Sequence, residues 1–429
     1  MFTRFRQMPA TAMAAVLGCA LIATAAPAVA KEKPKKEESK KGAEVPVSKG
    51  FTPAVKKMID ANTAKDPAAL QAALTESQGA ATEPGDRYWH GYYTLQLGLL
   101  NKDKATQDRG LDAMLDSGVS PADSVAAYNF YSGNFAYGDK NYAKAVQRLE
   151  AAQAAGSNEP NLPLLLMDSY LSSNQIDKGV AMAKASIEAS RAAGQRPSEE
   201  LYVRPARALQ AAKRTDDLLD ILTLRVRDWP QPVVWRNTLY ILLQQAGGDK
   251  DLNIDVLRLM RATNAMTERG EYLEYAALAT EAGYPGEVVS VVKQGIANKV
   301  FTEKDERFGP ILSSQTDRAN ADHAALLADA SKKPATPKAA RATADALVGI
   351  GEYAKAIPLY EGVAATDPVA QYRLGVAQAL AGQKDAAVAS FAKVTGSRAR
   401  LAKLWTVHVQ APATPAPAPA PAAAPATGG

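Results

Sequence analysis

The sequence predicts an all-α chain, a solenoid of about ten antiparallel helix pairs, and three observations predict it. Apolar residues recur with helical period through most of residues 51–410, with almost no strand-like alternation. Glycines fall mostly at breaks between apolar stretches, where helix ends need them. Register marks spaced near one period, or near two, tie these stretches into one lattice.

Ahead of the lattice, residues 1–30 read as an export signal. Arg4 and Arg6 supply the positive start, residues 12–26 the apolar stretch, and Ala28-Val29-Ala30 a small–x–small cleavage site before Lys31. The apolar run is short and charge follows at once, which disfavours a spanning helix. Cys19 is the only cysteine. Cleavage after Ala30 would leave a mature protein with no thiol, hence no disulfide and no thiolate ligand. The rival is lipidation at Cys19, because Val16-Leu17-Gly18-Cys19 loosely resembles a lipoprotein box. Leu17 is bulky where that box wants a small residue, so cleavage is the expectation and a Cys19 tether the alternative.

Two of the five net positive charges fall in residues 1–30 and three in residues 31–50, which carry seven Lys and four Glu. Residues 51 onward are therefore electroneutral, which argues against a nucleic-acid footprint. Residues 31–50 are apolar-poor and predict a disordered lead-in. Residues 411–429 alternate Ala and Pro and predict an extended polyproline spacer reaching about 60 Å.

Between these tails the helices follow in order. Residues 53–61 and 67–74 form a first pair; residues 88–100 open a second, closed by the apolar run 110–115. Residues 129–155 break at Gly138-Asp139-Lys140, and residues 234–245 and 253–266 are parted by Gly247-Gly248. Residues 320–330 are helix-like, but Gly309-Pro310 spoils their partner. Residues 339–368 show the unit best: a helix to about Val348, a break at Gly349-Ile350-Gly351, and a second helix from Tyr353 that stops before Asp367-Pro368. Residues 369–394 repeat the form, with a break at Ala381-Gly382-Gln383.

The best copy carries Ala344, Tyr353, Ala356, Tyr360, Val363 and Pro368, and in that order and spacing it resembles the tetratricopeptide repeat. Small residues let the two helices of a hairpin approach, and aromatics fill the wedge to the next pair. The marks Ala145, Gly179, Leu218, Val288, Ala356 and Ala387 lie 34, 39, 70, 68 and 31 residues apart, and extrapolation backwards lands on Leu111. Twelve before them stand Gly133, Met167, Ala206, Ala276, Ala344 and Gly375. Pro358 and Pro205 are placed at the edge of a first turn, where a missing N–H is tolerated.

The sequence carries no P-loop, G-x-S-x-G elbow or HExxH motif, so it predicts no catalytic residue, metal ligand or cofactor. His90, His323 and His408 are far apart and form no HExxH pair. His90 lies in the aromatic patch of residues 86–93, read as packing ahead of a ligand-facing cluster. Residues 349–354 fit a dinucleotide fingerprint, but they form the turn of the clearest repeat. Adjacent acids such as Glu199-Glu200, Asp216-Asp217 and Glu37-Glu38 point about 100° apart on a helix and read as solvated faces or helix starts.

The resemblance implies a right-handed superhelical solenoid with a concave face, built mainly from first helices, on which a protein or peptide partner docks. Carried onto matched positions, it gives Phe130, Asn134 and Tyr137 around Gly133, and Val203 and Arg207 around Ala206. It gives Arg341 and Asp345 around Ala344, and Tyr372 and Val376 around Gly375. The expectation is an exported, non-catalytic scaffold in the cell envelope, in the periplasm, over residues 51–410. The alternatives are a lipoprotein tethered to the outer membrane through Cys19 and, third, an envelope hydrolase.

Overall fold

The computed structural model describes residues 45–411. The export segment with Cys19, the charged lead-in up to residue 44 and the Ala/Pro tail from residue 412 lie outside the described residues. The chain divides into two compact units, with the boundary between Gln195 and Arg196. All regular structure among the described residues is helical.

Unit 1 is a row of four hairpins. They are α1 (Thr52–Thr63) with α2 (Pro67–Ser77), α3 (Pro84–Leu100) with α4 (Lys104–Asp116), α5 (Ala122–Gly138) with α6 (Tyr142–Ala154), and α7 (Leu162–Ser172) with α8 (Ile176–Ala192). One local device makes each turn. After α1, Lys65 takes a left-handed conformation (φ 52°), the Lys65 N–H donates to Asn62 O and the Asp66 N–H to Ala61 O, which satisfies the carbonyls the helix end would strand. Asp66 then caps α2 by accepting from the N–H groups of Ala68 and Ala69. The same N–H to carbonyl closure recurs after α3, α5 and α7 at Asp103, Asn141 and Gln175. Asp66→Ala is expected to cost about 1 kcal/mol, read as a lower urea midpoint, because both N–H groups lose their acceptor.

Small residues set how closely the helices of a pair pack. In α3–α4 a Cβ on Gly98 would lie 2.5 Å from the Gln107 nitrogen, and one on Gly110 would lie 2.4 Å from the Leu95 nitrogen. The backbones are in direct contact there, with Leu95, Leu111 and Met114 buried around them. Successive pairs are tied by charge as well, since Lys144 of α6 reaches Asp108 of α4 at 2.7 Å and Arg148 reaches Asp112 at 2.9 Å.

Residues 45–48, which the sequence assigns to a disordered lead-in, are docked. Trp89 Nε1 donates to Val45 O at 3.0 Å, and the Ser48 N–H and hydroxyl both donate to the buried Asp86 carboxylate, at 2.9 and 2.8 Å. Gly85 makes room for Pro46, whose carbonyl oxygen would lie 1.9 Å from any Cβ at that position.

Unit 2 holds the hairpins α9 (Glu200–Ala211) with α10 (Thr215–Asp228), α11 (Pro232–Ala246) with α12 (Lys250–Ala262), and α13 (Arg269–Glu281) with α14 (Pro285–Ala297). A single helix α15 (Phe308–Ala330) follows, then α16 (Pro337–Gly349) with α17 (Tyr353–Glu361), α18 (Pro368–Leu380) with α19 (Lys384–Phe391), and a closing helix α20 (Ala399–Gln410). The repeat of helix hairpins is the fold the sequence predicts, but residues 308–330 depart from it. Pro310 sits in the first turn of α15, where its absent N–H has no partner to lose, so one long and mostly exposed helix replaces a hairpin. Pro205 and Pro358 both lie deeper in their helices than the sequence placed them, and α17 is only nine residues long.

Unit 2 also closes on itself. α20 packs against α18 and α19 and reaches back to α10, where Arg400 meets Asp216 and Asp220 at 3.0 Å. One apolar core consequently runs from Leu219, Val234 and Trp235 through Tyr272 and Tyr275 to Tyr372, Phe391 and Trp405. A second cluster centred on Ala344, Ala356 and Tyr360 joins α16, α17 and α18.

Candidate partner-facing positions and a buried charge cluster

The structure separates the predicted docking residues into open and closed sets. Asn134 is exposed on α5, and Tyr137, one turn on, is half-buried with its hydroxyl bonded to the Asp168 carboxylate of α7. Arg207 is exposed on α9 and Val203 is half-buried. Arg341 is half-buried and donates twice to Asp367, at 3.0 and 2.7 Å, while that carboxylate also caps α18.

Phe130, Asp345 and Tyr372 require correction, since all three are buried and offer nothing to a partner in this state. Phe130 packs edge-on to Tyr131 in the core of unit 1 (centroids 5.4 Å apart). Tyr372 and Val376 are covered because unit 2 closes, and the Tyr372 hydroxyl accepts from Trp405 Nε1 at 2.9 Å. The register also slips in α9, where Pro205 is buried and Ala206 is half-exposed.

Asp345 belongs to a buried charge cluster that the sequence did not reveal. Asp251 and Asp255, one turn apart on α12, face Arg373 of α18 and Arg398 of the short 3-10 turn before α20. Arg373 donates from Nη2 to Asp251 (2.6 Å), from Nε to Asp255 (2.9 Å) and from Nη1 to Asp345 (2.7 Å). Arg398 donates to the second oxygens of Asp255 (2.7 Å) and Asp251 (3.1 Å). Arg258 forks onto Glu287 of α14 with two 2.8 Å bonds, which the Tyr275 hydroxyl joins at 2.6 Å. The Tyr360 hydroxyl donates to Asp345 at 2.5 Å.

Burial alone would push the Asp255 carboxyl up, yet Arg373, with Arg258 and Arg398, holds it below its ordinary value. Glu287 is likewise pushed up by burial and brought below its ordinary value by Arg258 and the Tyr275 hydroxyl. Both acids therefore stay ionised and paired, the opposite of the raised pKa a general acid needs. Their folded pKa values lie below the unfolded ones, so their stabilisation is complete above the unfolded values and is lost as pH falls through the folded values. Acid titration of far-UV ellipticity is expected to show unit 2 unfolding only below about pH 4.

His408 of α20 adds a second pH dependence. Its ring is edge-on to Trp235 and Trp405, with centroids 6.1 and 5.7 Å away, and burial, with Lys384, lowers its pKa from 6.5. The folded imidazole binds a proton less readily than the unfolded one, so its contribution is complete above 6.5 and declines as pH falls below it. Tm is expected to drop between about pH 7.5 and about pH 5.5, and His408→Phe to flatten that step.

The remaining motifs resolve into structure. Tyr88, Trp89 and Tyr93 are buried, with Trp89 against both tyrosines, and His90 bonds through Nε2 with Leu74 O at 3.1 Å. The fingerprint-like segment is the α16–α17 turn, with Gly351 at φ 84°. Glu199 pairs with Arg225, Glu200 with Arg204, Asp216 with Arg400 and Asp217 with Arg214; Glu37 and Glu38 lie outside the described residues. A cavity of about 330 Å³ is lined by Leu242, Gln245, Ala246, Leu252, Val256, Ser397 and Leu401, with no charged side chain. A smaller one of about 100 Å³ has Tyr284, Asp322, His323 and Ile350 in its lining. Among the described residues no group of three His, Cys, Asp or Glu is placed to hold a metal ion, and no helix is long and apolar enough to cross a membrane.

No family model and no curated protein matches the chain. Among solved structures it is similar to a chain in the structure of Naa15/Naa10 bound to HypK-THB, at 12% identity and a TM-score of 0.35, covering 83% of this chain and 54% of that one. It is also similar to a chain of the APC/C hetero-tetramer Cut9-Hcn1, at 11% identity and a TM-score of 0.17, covering 81% of this chain and 86% of that one. The chain thus spans about half the length of the Naa15/Naa10 chain it matches. Likenesses at these scores carry no functional argument, and the fold rests on the hairpins themselves.

Proposed function

We propose that the protein is an exported, non-catalytic scaffold that holds a protein or peptide partner in the periplasm, with the contact centred on Asn134 and Tyr137 of unit 1. The supporting observation is how the repeat positions are used. In unit 2 the counterpart of Asn134, Asp345, is consumed internally, whereas Asn134 is open to solvent and Tyr137, one turn on, lies beside it, fixed by Asp168. A half-buried tyrosine held in place by a carboxylate presents contact area at little entropic cost.

The surface chemistry also indicates the kind of contact. Val233 and Leu380 are the exposed large hydrophobics among the described residues, at 54% and 37%, and they belong to separate helices of unit 2. The unit 1 contact is therefore polar, made by hydrogen bonds to an extended segment more than by burial of an apolar patch. A photo-crosslinker placed at Asn134 in cells is expected to trap one specific envelope protein, and Tyr137→Ala to cut the yield at least about tenfold. Absence of a specific adduct, or a yield indifferent to Tyr137→Ala, rejects this surface.

Export is tested separately by the mass of the mature N-terminus. A chain beginning at Lys31 supports a free periplasmic protein, and an acylated Cys19 supports the tethered alternative.

A further inference from the structure

The closing helix of unit 2 occupies the seat that a row of hairpins otherwise leaves open. α20 lies against α18 and α19 on one side and against α10 and Trp235 of α11 on the other, while the turn before it reaches α12 through Arg398. It buries Leu401, Leu404, Trp405 and Val409, the three-and-four spacing with which an amphipathic helix fills a groove. The walls it meets are far away in sequence, up to |i−j| of 184 at Arg400.

Three features distinguish this seam from a sealed core. The cavity of about 330 Å³ lies within it, between Leu242, Ala246, Leu252 and Val256 of α11–α12 and Leu401 at the start of α20. Its outer clasp joins Arg400 to Asp216 and Asp220, which are 82% and 48% exposed, so water and salt screen it. The connection into α20 is exposed at Lys393, Thr395, Gly396 and Ser397, with Gly396 at φ 71°.

We propose that α20 is a displaceable occupant of a helix-binding groove in unit 2, a surface made of other residues than the unit 1 contact. In the free chain it holds the groove closed. A partner's amphipathic helix takes the same seat when it carries arginine in its first turn and leucine or tryptophan at the spacing of Leu401, Leu404, Trp405 and Val409. The chemistry of that partner is read from α20 itself: the carboxylates of Asp216 and Asp220 select a basic first turn, and the aromatic walls Trp235, Tyr372 and Phe391 select the apolar anchors. The Ala/Pro sequence of residues 412–429 supplies neither. Displacement uncovers Tyr372, so this position becomes a partner contact only in the open state.

Hydrogen exchange on the full chain is the first arm of the test. Amides of α20 are expected to exchange at least about tenfold faster than those of α12, and faster still with Arg400→Glu, which leaves the buried core untouched. In the second arm, a labelled peptide with the sequence of residues 396–411 is expected to bind the Trp405→Ala chain at least about tenfold more tightly than the unsubstituted chain, whose groove is occupied. A peptide carrying Arg400→Glu and Trp405→Ala is expected not to bind. If Trp405→Ala fails to fold, the Arg400→Glu chain takes its place in the peptide arm. Exchange of α20 and α12 at one common rate in both chains, with no peptide bound, overturns the proposal. A concentration-dependent dimer that the peptide dissolves makes a second copy the occupant and overturns the assignment to a separate partner.

Discussion

Arg373→Ala is expected to destabilise unit 2 by about 3–5 kcal/mol, measured as the free energy of urea unfolding at neutral pH. The magnitude comes less from bonds lost than from what is left behind. Arg373 is shared by Asp251, Asp255 and Asp345, and of these Asp255 and Asp345 have essentially no contact with water. Asp255 would keep Arg258 and Arg398, but Asp345 would keep only the hydroxyls of Tyr360 and Tyr284. A buried carboxylate left without a cation carries its desolvation cost uncompensated. Arg400→Ala provides the contrast. Its partners Asp216 and Asp220 are exposed, so the loss should stay under about 1 kcal/mol and vanish at high salt. Equal costs for the two substitutions would show that the cluster is solvated and carries no special weight.

The difference between those arginines also marks what could be read from the sequence. Helices and their pairing are local facts. A left-handed residue after the helix and apolar residues at helical spacing lie within one repeat, so Gly138-Asp139-Lys140 and Gly349-Ile350-Gly351 announce their turns. The marks Ala145, Val288, Ala356 and Ala387 are all buried for the same reason. Closure of unit 2 is not local. Arg373 meets Asp255 across |i−j| of 118 and Arg398 meets it across 143, and no periodicity within one repeat encodes that meeting. A signal was present in α12, where Asp255 and Arg258 interrupt the apolar run of Ile254, Val256, Leu257 and Leu259. Charged residues on a helix buried this thoroughly require partners, although the sequence does not say which. Asp345 and Tyr372 are buried by nearer chain: the repeat register placed them, and Tyr360 and Arg373 cover the first while Trp405 covers the second.

Gly110→Ala is the expected large effect in unit 1, and its sign depends on two opposed contributions. Replacing glycine inside a helix by alanine stabilises the helix by about 1 kcal/mol, through backbone entropy lost by the unfolded chain. At Gly110 the new methyl group would sit 2.4 Å from the Leu95 nitrogen and 2.7 Å from both Gly91 O and Leu95 Cα. These are backbone atoms of the facing helix, so no side chain can rotate away and α3 and α4 must separate. Such overpacking costs about 3 kcal/mol, leaving a net loss of about 2 kcal/mol and a lower Tm. At Gly138, the end of α5, an added methyl group would have nothing within 4 Å, so Gly138→Ala should be neutral or gain up to about 1 kcal/mol. A loss at Gly110 with no loss at Gly138, followed by thermal unfolding, is the outcome required if backbone contact within the hairpin sets the spacing of α3 and α4. A Gly110→Ala chain as stable as the unsubstituted one would mean that the pair is held apart by its larger neighbours, Leu95, Leu111 and Met114.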